Sequence, residues 1–167
     1  MSPRRRLFYF SESNVSSYAG VTAIHRRVEA LRAGRDPTLI ARTSSGWAVF
    51  GERQFLRGYA LLLPDPVVPT LNDLPSPARE RFLSDMGRLG DALLAATGAC
   101  RVNYALFGNL EPALHAHVVP RYRDERAPLD VAHPWAYDWE AAPLFDVVRD
   151  ADLQAAVRAA LAQSSLA

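Results

Sequence analysis

Two histidines one residue apart, His115 and His117, stand in the run Phe107-Gly108-Asn109-Leu110-Glu111-Pro112-Ala113-Leu114-His115-Ala116-His117-Val118-Val119-Pro120-Arg121. In a strand, alternate side chains share a face, so both imidazoles leave one side with β-carbons about 6.5 Å apart, at a rise of about 3.3 Å per residue. Leu114, Ala116 and Val118 then turn the other way, into apolar packing. Such a pair has three uses: it can grip a metal, act on a phosphate, or sit hydrogen-bonded in a core. A catalytic zinc needs three protein ligands. No Cys and no acidic pair lies nearby at ligand spacing, and His133 or a carboxylate completes such a site only by folding back. A neutral imidazole, by contrast, is a good nucleophile at phosphorus and then a good leaving group, so it splits one displacement into two. At an ordinary pKa of about 6.5, an imidazole is roughly three-quarters neutral at pH 7 without special tuning.

The neighbours of the pair extend the phosphate reading. A carbonyl accepting from one ring's Nδ1–H fixes the tautomer in which its Nε2 can attack, and the other ring on the same face can donate to a phosphate oxygen or to the leaving oxygen. Asn109 stands just before the strand, where its amide can hold a non-bridging oxygen or simply make a Gly-Asn turn. Arg121, just after it, can meet a phosphate bidentately or be solvated. His25, beside Ile24, reads as a boundary or surface histidine.

Composition removes other chemistry. The 19 basic residues oppose 18 acidic ones for a net charge of +1, which argues against a nucleic-acid partner held by bulk charge. All the basic residues are Arg, so phosphate-loop lysines, Schiff-base lysines and Ser-Lys dyads are excluded. The single cysteine, Cys100, excludes an intramolecular disulfide and multi-cysteine metal sites. After Arg4-Arg5-Arg6 the apolar run Leu7-Phe8-Tyr9-Phe10 stops at Ser11, short of the roughly 7–15 residues of a secretory signal. No run approaches the roughly 20 apolar residues of a membrane span. The expectation is a cytoplasmic protein without a membrane partner.

The elements that must carry these residues follow one another along the chain. Ser16 or Ser17 can cap a first helix running to about Arg32, with Val21, Ile24, Val28 and Leu31 as its apolar stripe and Gly34 at its end. Leu39-Ile40-Ala41 and Trp47-Ala48-Val49-Phe50 flank Thr43-Ser44-Ser45-Gly46 and read as a hairpin. Tyr59 to Leu63 is a continuous apolar run of strand length, stopped by Pro64-Asp65-Pro66, and predicts a central strand buried on both faces. A second helix starts at Ser76-Pro77, with Ser76 as cap, and ends at Gly98; Phe82, Met86, Leu89, Leu93 and Ala96 form its buried face. Two strands follow, Val102–Leu106 and Leu114–Val119, the latter ended by Pro120. Arg121 to Pro143 is aromatic and without period, and predicts an ordered but irregular tail. Leu153, Val157, Ala160 and Leu161 mark a last helix over about Asp152–Gln163. This order predicts α+β, a mostly antiparallel sheet with packed helices.

Gly108-Asn109 followed by Leu114-His115-Ala116-His117-Val118-Val119-Pro120-Arg121 resembles the signature of the histidine triad family. In that family three His alternate with apolar residues, ahead of two apolar residues and often Pro-Arg. Arg57-Gly58-Tyr59-Ala60-Leu61-Leu62-Leu63-Pro64 is similar to the family's Gly-(His/Tyr)-apolar strand ending in Pro. Leu71-Asn72-Asp73-Leu74 and Arg101-Val102-Asn103-Tyr104 are similar to the segments that follow. The resemblance spans about residues 38–123 of a single domain, 1–167, and leaves 124–167 as a C-terminal extension.

The resemblance implies a histidine-triad-like fold. It also implies a nucleotide hydrolase or nucleotidyl transferase working through a covalent nucleotidyl-histidine, on a dinucleoside polyphosphate or a nucleotide phosphoramidate. Aligned on Pro120-Arg121, the family's middle His, its nucleophile, falls on His115 and its third on His117; its first falls on Ala113. Asn109 takes the offset of a family Gln. The ribose-binding position falls near Gly51-Glu52, which makes Glu52, and after it Gln54, the candidate ribose contacts. The family's basic-plus-His motif is here Pro64-Asp65-Pro66-Val67. No cofactor and no protein-held metal are expected, although a divalent cation can accompany the substrate's phosphates. A homodimer is implied as well. The apolar Tyr59–Leu63 and Val102–Leu106 runs exceed what three helices readily cover. Trp135, Tyr137 and Trp139 are available to seal a seam, to cover the sheet, or to stack on a base. Two alternatives stay open: a nucleotide-binding module without turnover, given Ala113, and a metal-dependent hydrolase using the His pair as ligands.

Overall fold

Thr22 caps the first helix described, α1 (Ala23–Arg32), and not Ser16 or Ser17. Its hydroxyl accepts the His25 N–H while the His25 ring accepts the Thr22 N–H, so His25 is a capping residue. The two serines lie outside residues 20–163, which are those described in this computed structural model. Val21 precedes the cap and is exposed, leaving Ile24, Val28 and Leu31 as the buried stripe.

The remaining elements are β1 (Leu39–Arg42), β2 (Gly46–Phe50), β3 (Ala60–Pro64), α2 (Ser76–Thr97), β4 (Arg101–Leu106), β5 (Ala116–Arg121) and α3 (Ala151–Gln163), with short 3₁₀ turns at Leu71–Asp73 and Pro134–Ala136. The strands form one antiparallel sheet in the order β1-β2-β3-β5-β4. The expected α+β architecture is therefore present, with β3 in the centre and every one of its residues buried.

Alternation along the strands divides the core into two layers. Ile40, Ala48, Phe50, Ala60, Leu62, Ala116 and Val118 face α2 and α3, joined by Phe82, Leu89, Leu93 and Val157. Val49, Tyr59, Leu61, Leu63 and Val119 face the other way, against Ile24, Val28 and Leu31 of α1 and the tail residues Tyr137 and Trp139. Leu61 pairs with His117 across β3 and β5, so His117 belongs to the α1-and-tail face.

Three local expectations are corrected. Leu114 and His115 precede β5, which begins at Ala116 and runs through Pro120 to Arg121. Pro120 is tolerated because the β3 ladder has already ended at Val118, so no N–H is required on that side. The cap of α2 falls on Pro75; Ser76 is the first helical residue and its hydroxyl donates to Glu80 at 2.8 Å. Gly98, at φ 71°, closes that helix in the left-handed region, where a side chain would be strained.

The buried face of α2 also holds an unexpected carboxylate. Asp85 is 2% exposed and accepts from the Ser44 hydroxyl and from the Ser45 hydroxyl and N–H, each at 2.8 Å, and from Arg88 at 3.0 Å. Burial alone would raise its pKa, but these hydrogen bonds outweigh burial and hold it below the usual value. The carboxylate fastens the β1–β2 turn to α2. Among the described residues, no helix is long and apolar enough to cross a membrane.

The tail returns over the α1 face of the sheet. Its hub is Arg121, which is buried. The guanidinium donates to Glu125 at 2.9 Å, to Asn103 at 2.8 Å and to the carbonyls of Leu129, Asp130 and Ala132. Further along, Gln54 N–H donates to Pro143 O at 2.8 Å and Phe145 N–H to Glu52 O at 2.7 Å, stitching the tail to the β2–β3 loop.

Candidate active site

The path from Leu106 to Ala116 positions the two histidines. Glu111 is turned toward α1, where its carboxylate accepts the Ala23 and Ile24 N–H groups at 3.3 and 3.4 Å, an acidic group at a helix N-terminus. Leu114 N–H donates to Val68 O at 2.7 Å and its side chain enters the α2 core. His115 is thereby directed to the opposite side, beside His117, with ring centroids 4.8 Å apart at 70°.

The two rings hold their protons on opposite nitrogens. His115 Nδ1 lies 2.8 Å from Ala113 O. A carbonyl only accepts, so Nδ1 carries the proton and Nε2 keeps its lone pair. His117 Nδ1 lies 2.6 Å from the Tyr59 hydroxyl. Burial pushes the Tyr59 phenol up, so it keeps its proton. Burial first, and then the neighbouring His115, push His117 down to about 3, so its ring is neutral at pH 7. Tyr59 O–H accordingly donates to Nδ1, and the His117 proton sits on Nε2. One imidazole thus offers a lone pair and its neighbour an N–H, which are the needs of a nucleophile and of a donor to developing negative charge.

Tyr59 is itself fixed from behind. A β-carbon at Gly51 would lie 2.2 Å from its ring, so only glycine lets the phenol reach His117. Gln54 holds the same loop: its amide donates to Gly51 O and Tyr59 O at 2.7 and 2.9 Å and accepts Gly58 N–H at 2.9 Å.

His115 sits where two clefts meet. One, of about 350 Å³, is lined by Phe107, Asn109, His115, His117, His133 and Trp135 among others. The second, of about 420 Å³, is bordered by Thr70, Asn72, Asn109 and His115. Trp135 stands edge-on to His117 at 4.8 Å and to Phe107 at 4.9 Å. Trp139 packs on Phe55 at 3.9 Å. The tail aromatics are therefore cover for the sheet and a wall of the cleft within one chain.

Of the residues singled out in the sequence, His115, His117 and Asn109 come together. Glu52 lies apart: it borders a separate cleft with Arg26, Arg27 and Arg35, beneath the tail. Gln54 is buried and spent on backbone groups. Arg121 is neither solvated nor free for a phosphate, because its donors are taken by Glu125, Asn103 and backbone carbonyls. Two residues gained a place the sequence did not assign them. Tyr59 reads as strand, and its signal was a phenol on a buried run, which must find a polar partner. His133 lies in a segment without period, so nothing placed it at the cleft. Among the described residues, no group of three His, Cys, Asp or Glu is arranged to hold a metal ion.

The burial of His117 sets a pH dependence. Unfolded, the ring takes a proton below about pH 6.5; folded, only near 3. Its contribution to stability is therefore complete above about 6.5 and is lost as pH falls toward 3. Between pH 7.5 and 5 the protein is expected to lose about 2 kcal/mol more stability than His117→Gln, measured by urea unfolding. Parallel profiles for the two proteins would contradict the buried, neutral ring.

No protein-family model and no curated protein matches this sequence. Solved structures do. A histidine triad protein from Marinobacter aquaeolei VT8 superposes with a TM-score of 0.68 at 20% identity, over 86% of this chain and 98% of its own. A Zn-bound histidine triad family protein from Mycobacterium smegmatis gives 0.60 at 22%, over 81% and 92%. A hypothetical histidine triad nucleotide-binding protein from Sulfolobus tokodaii gives 0.64 at 11%, over 81% and 91%. The chain has the histidine triad fold.

Proposed function

We propose that the protein is a nucleotide hydrolase or nucleotidyl transferase that passes a nucleotidyl group through His115. The observation that carries this reading is the pair of opposed tautomers: Nδ1–H of His115 on Ala113 O, and the Tyr59 hydroxyl on Nδ1 of His117. Nε2 of His115 attacks the substrate phosphorus; the P–N bond forms as the bond to the leaving group breaks, and the electron pair departs with that group. Water or another acceptor then attacks the same phosphorus and releases its proton to solvent or to the first leaving group; the P–N bond breaks and its electron pair returns to Nε2, restoring neutral His115. His117 Nε2–H and the Asn109 amide stabilise charge on the phosphoryl oxygens. The structural likeness to a protein described as nucleotide-binding supports a nucleotide as the carried group. Dinucleoside polyphosphates and nucleotide phosphoramidates are the proposed substrates.

The chemistry asks for no metal held by the protein. Turnover in a screen of those substrates is expected to survive chelation within a few-fold, any loss reflecting cations bound to substrate phosphates. Complete loss, restored only by stoichiometric zinc, would transfer the His pair to the metal-dependent reading.

A homodimer is part of the proposal, on narrower grounds than the sequence offered. β3 is covered by its own chain and the tail aromatics are engaged at home, so neither calls for a partner. β4 does: its outer edge has no partner strand among the described residues, and Tyr104 and Leu106 are 42% and 36% exposed. A second copy on this edge would need to bury above about 1,000 Å². Light scattering at micromolar concentration is expected to give a mass near twice that of one chain; a fully active monomer would reject it.

A further inference from the structure

We infer that His133, from the C-terminal tail, binds the departing phosphates of the substrate, so that the tail selects substrates whose leaving group is itself a phosphate chain. The inference rests on the reading of His115 as the site of attack. His133 borders the same 350 Å³ cleft as His115 and His117, and its ring lies 5.1 Å from Trp135 and 6.1 Å from Phe107. Its Nδ1 accepts the Trp135 N–H at 3.3 Å, so the proton of the neutral ring is on Nε2. The ring therefore offers the cleft a donor and no acceptor.

The surroundings favour an anion on this side. Glu111, the carboxylate on this wall, is turned into the N–H groups at the start of α1. The Phe107 and Trp135 rings line the same cleft beside the two donors. Across His115, the second cleft has fewer free donors: the Thr70 hydroxyl and N–H, which border it, both donate to Asp73, at 2.7 and 2.9 Å. His117 Nε2–H beside the reacting phosphorus and His133 Nε2–H further out form two donors along one cleft, suited to successive phosphates.

The test separates contact from folding. In a His115→Asn background, where nothing turns over, ATP and AMP are titrated by calorimetry into full-length chain. The triphosphate is expected to bind about tenfold more tightly, the worth of a hydrogen bond to a charged group. Adding His133→Ala should remove that preference to within twofold and leave AMP binding unchanged. His133→Asn keeps a side-chain acceptor for the Trp135 N–H but is too short to reach the cleft, and should behave like His133→Ala. A preference that survives His133→Ala, one that His133→Asn restores, equal weakening of both nucleotides, or no preference in the starting protein would each overturn the proposal. Covalent capture at His115 is read separately on wild-type protein. Its absence alongside a His133-dependent triphosphate preference would reject the covalent mechanism and leave this binding role standing.

Discussion

His115→Asn is expected to lower nucleotide cleavage by at least about 10³-fold while the protein stays folded, because the covalent route is lost with the only bare imidazole nitrogen in the cleft among the described residues. Asn retains an amide that can donate to Ala113 O, so the turn before β5 keeps its hydrogen bond. The loss should fall on kcat more than on KM, since the side chain acts at the reacting phosphorus rather than on the distant nucleoside. His115→Ala should lose as much. Either variant retaining more than about a tenth of the wild-type rate, with an unchanged circular dichroism spectrum, would remove His115 from the mechanism.

His117→Ala is expected to cost about 10²–10³-fold, the usual worth of one donor aimed at transition-state charge. The companion change Tyr59→Phe keeps the ring that packs in the α1-side core and removes only the hydroxyl that fixes the His117 tautomer. It should cost about tenfold, since either ring nitrogen of His117 can then hold the proton. Equal losses for the two variants would mean that Tyr59 is needed for packing, and a loss for Tyr59→Phe with none for His117→Ala would separate Tyr59 from any action through His117.

The order of strands and helices was legible because each element carries its own period: three-and-four spacing in α1, α2 and α3, and the unbroken apolar run of β3. The His pair was legible because Leu114, Ala116 and Val118 alternate with it into one core layer, although only His117 lies within β5 and His115 is set by the turn before it. The limits were physical. Pro120 read as a stop because sequence does not show that the neighbouring ladder has already ended. Asp85 interrupts an apolar stripe that looks uniform by spacing, and its partners, Ser44 and Ser45, are supplied by a distant turn. Sequence places Arg121 just after the strand, free to meet a phosphate or solvent, and the resemblance puts Gln54 near a ribose position; long-range partners, Glu125 and Asn103 for Arg121 and backbone groups for Gln54, take up their donors instead. The tail offered aromatic residues without a repeat, so its return over the sheet, with His133 at the cleft, depended on long-range packing that no local pattern records.

The central claim is a covalent nucleotidyl group on one nitrogen. Its most direct test is intact-mass spectrometry of the wild-type chain quenched in the pre-steady state with a cleavable nucleotide substrate, followed by peptide mapping. The mechanism predicts a mass increase of one nucleotidyl group per chain, acid-labile as a phosphoramidate, mapped to His115 and absent from His115→Asn. A protein that turns the substrate over with no adduct at any quench time, or with the adduct on another residue, would contradict it.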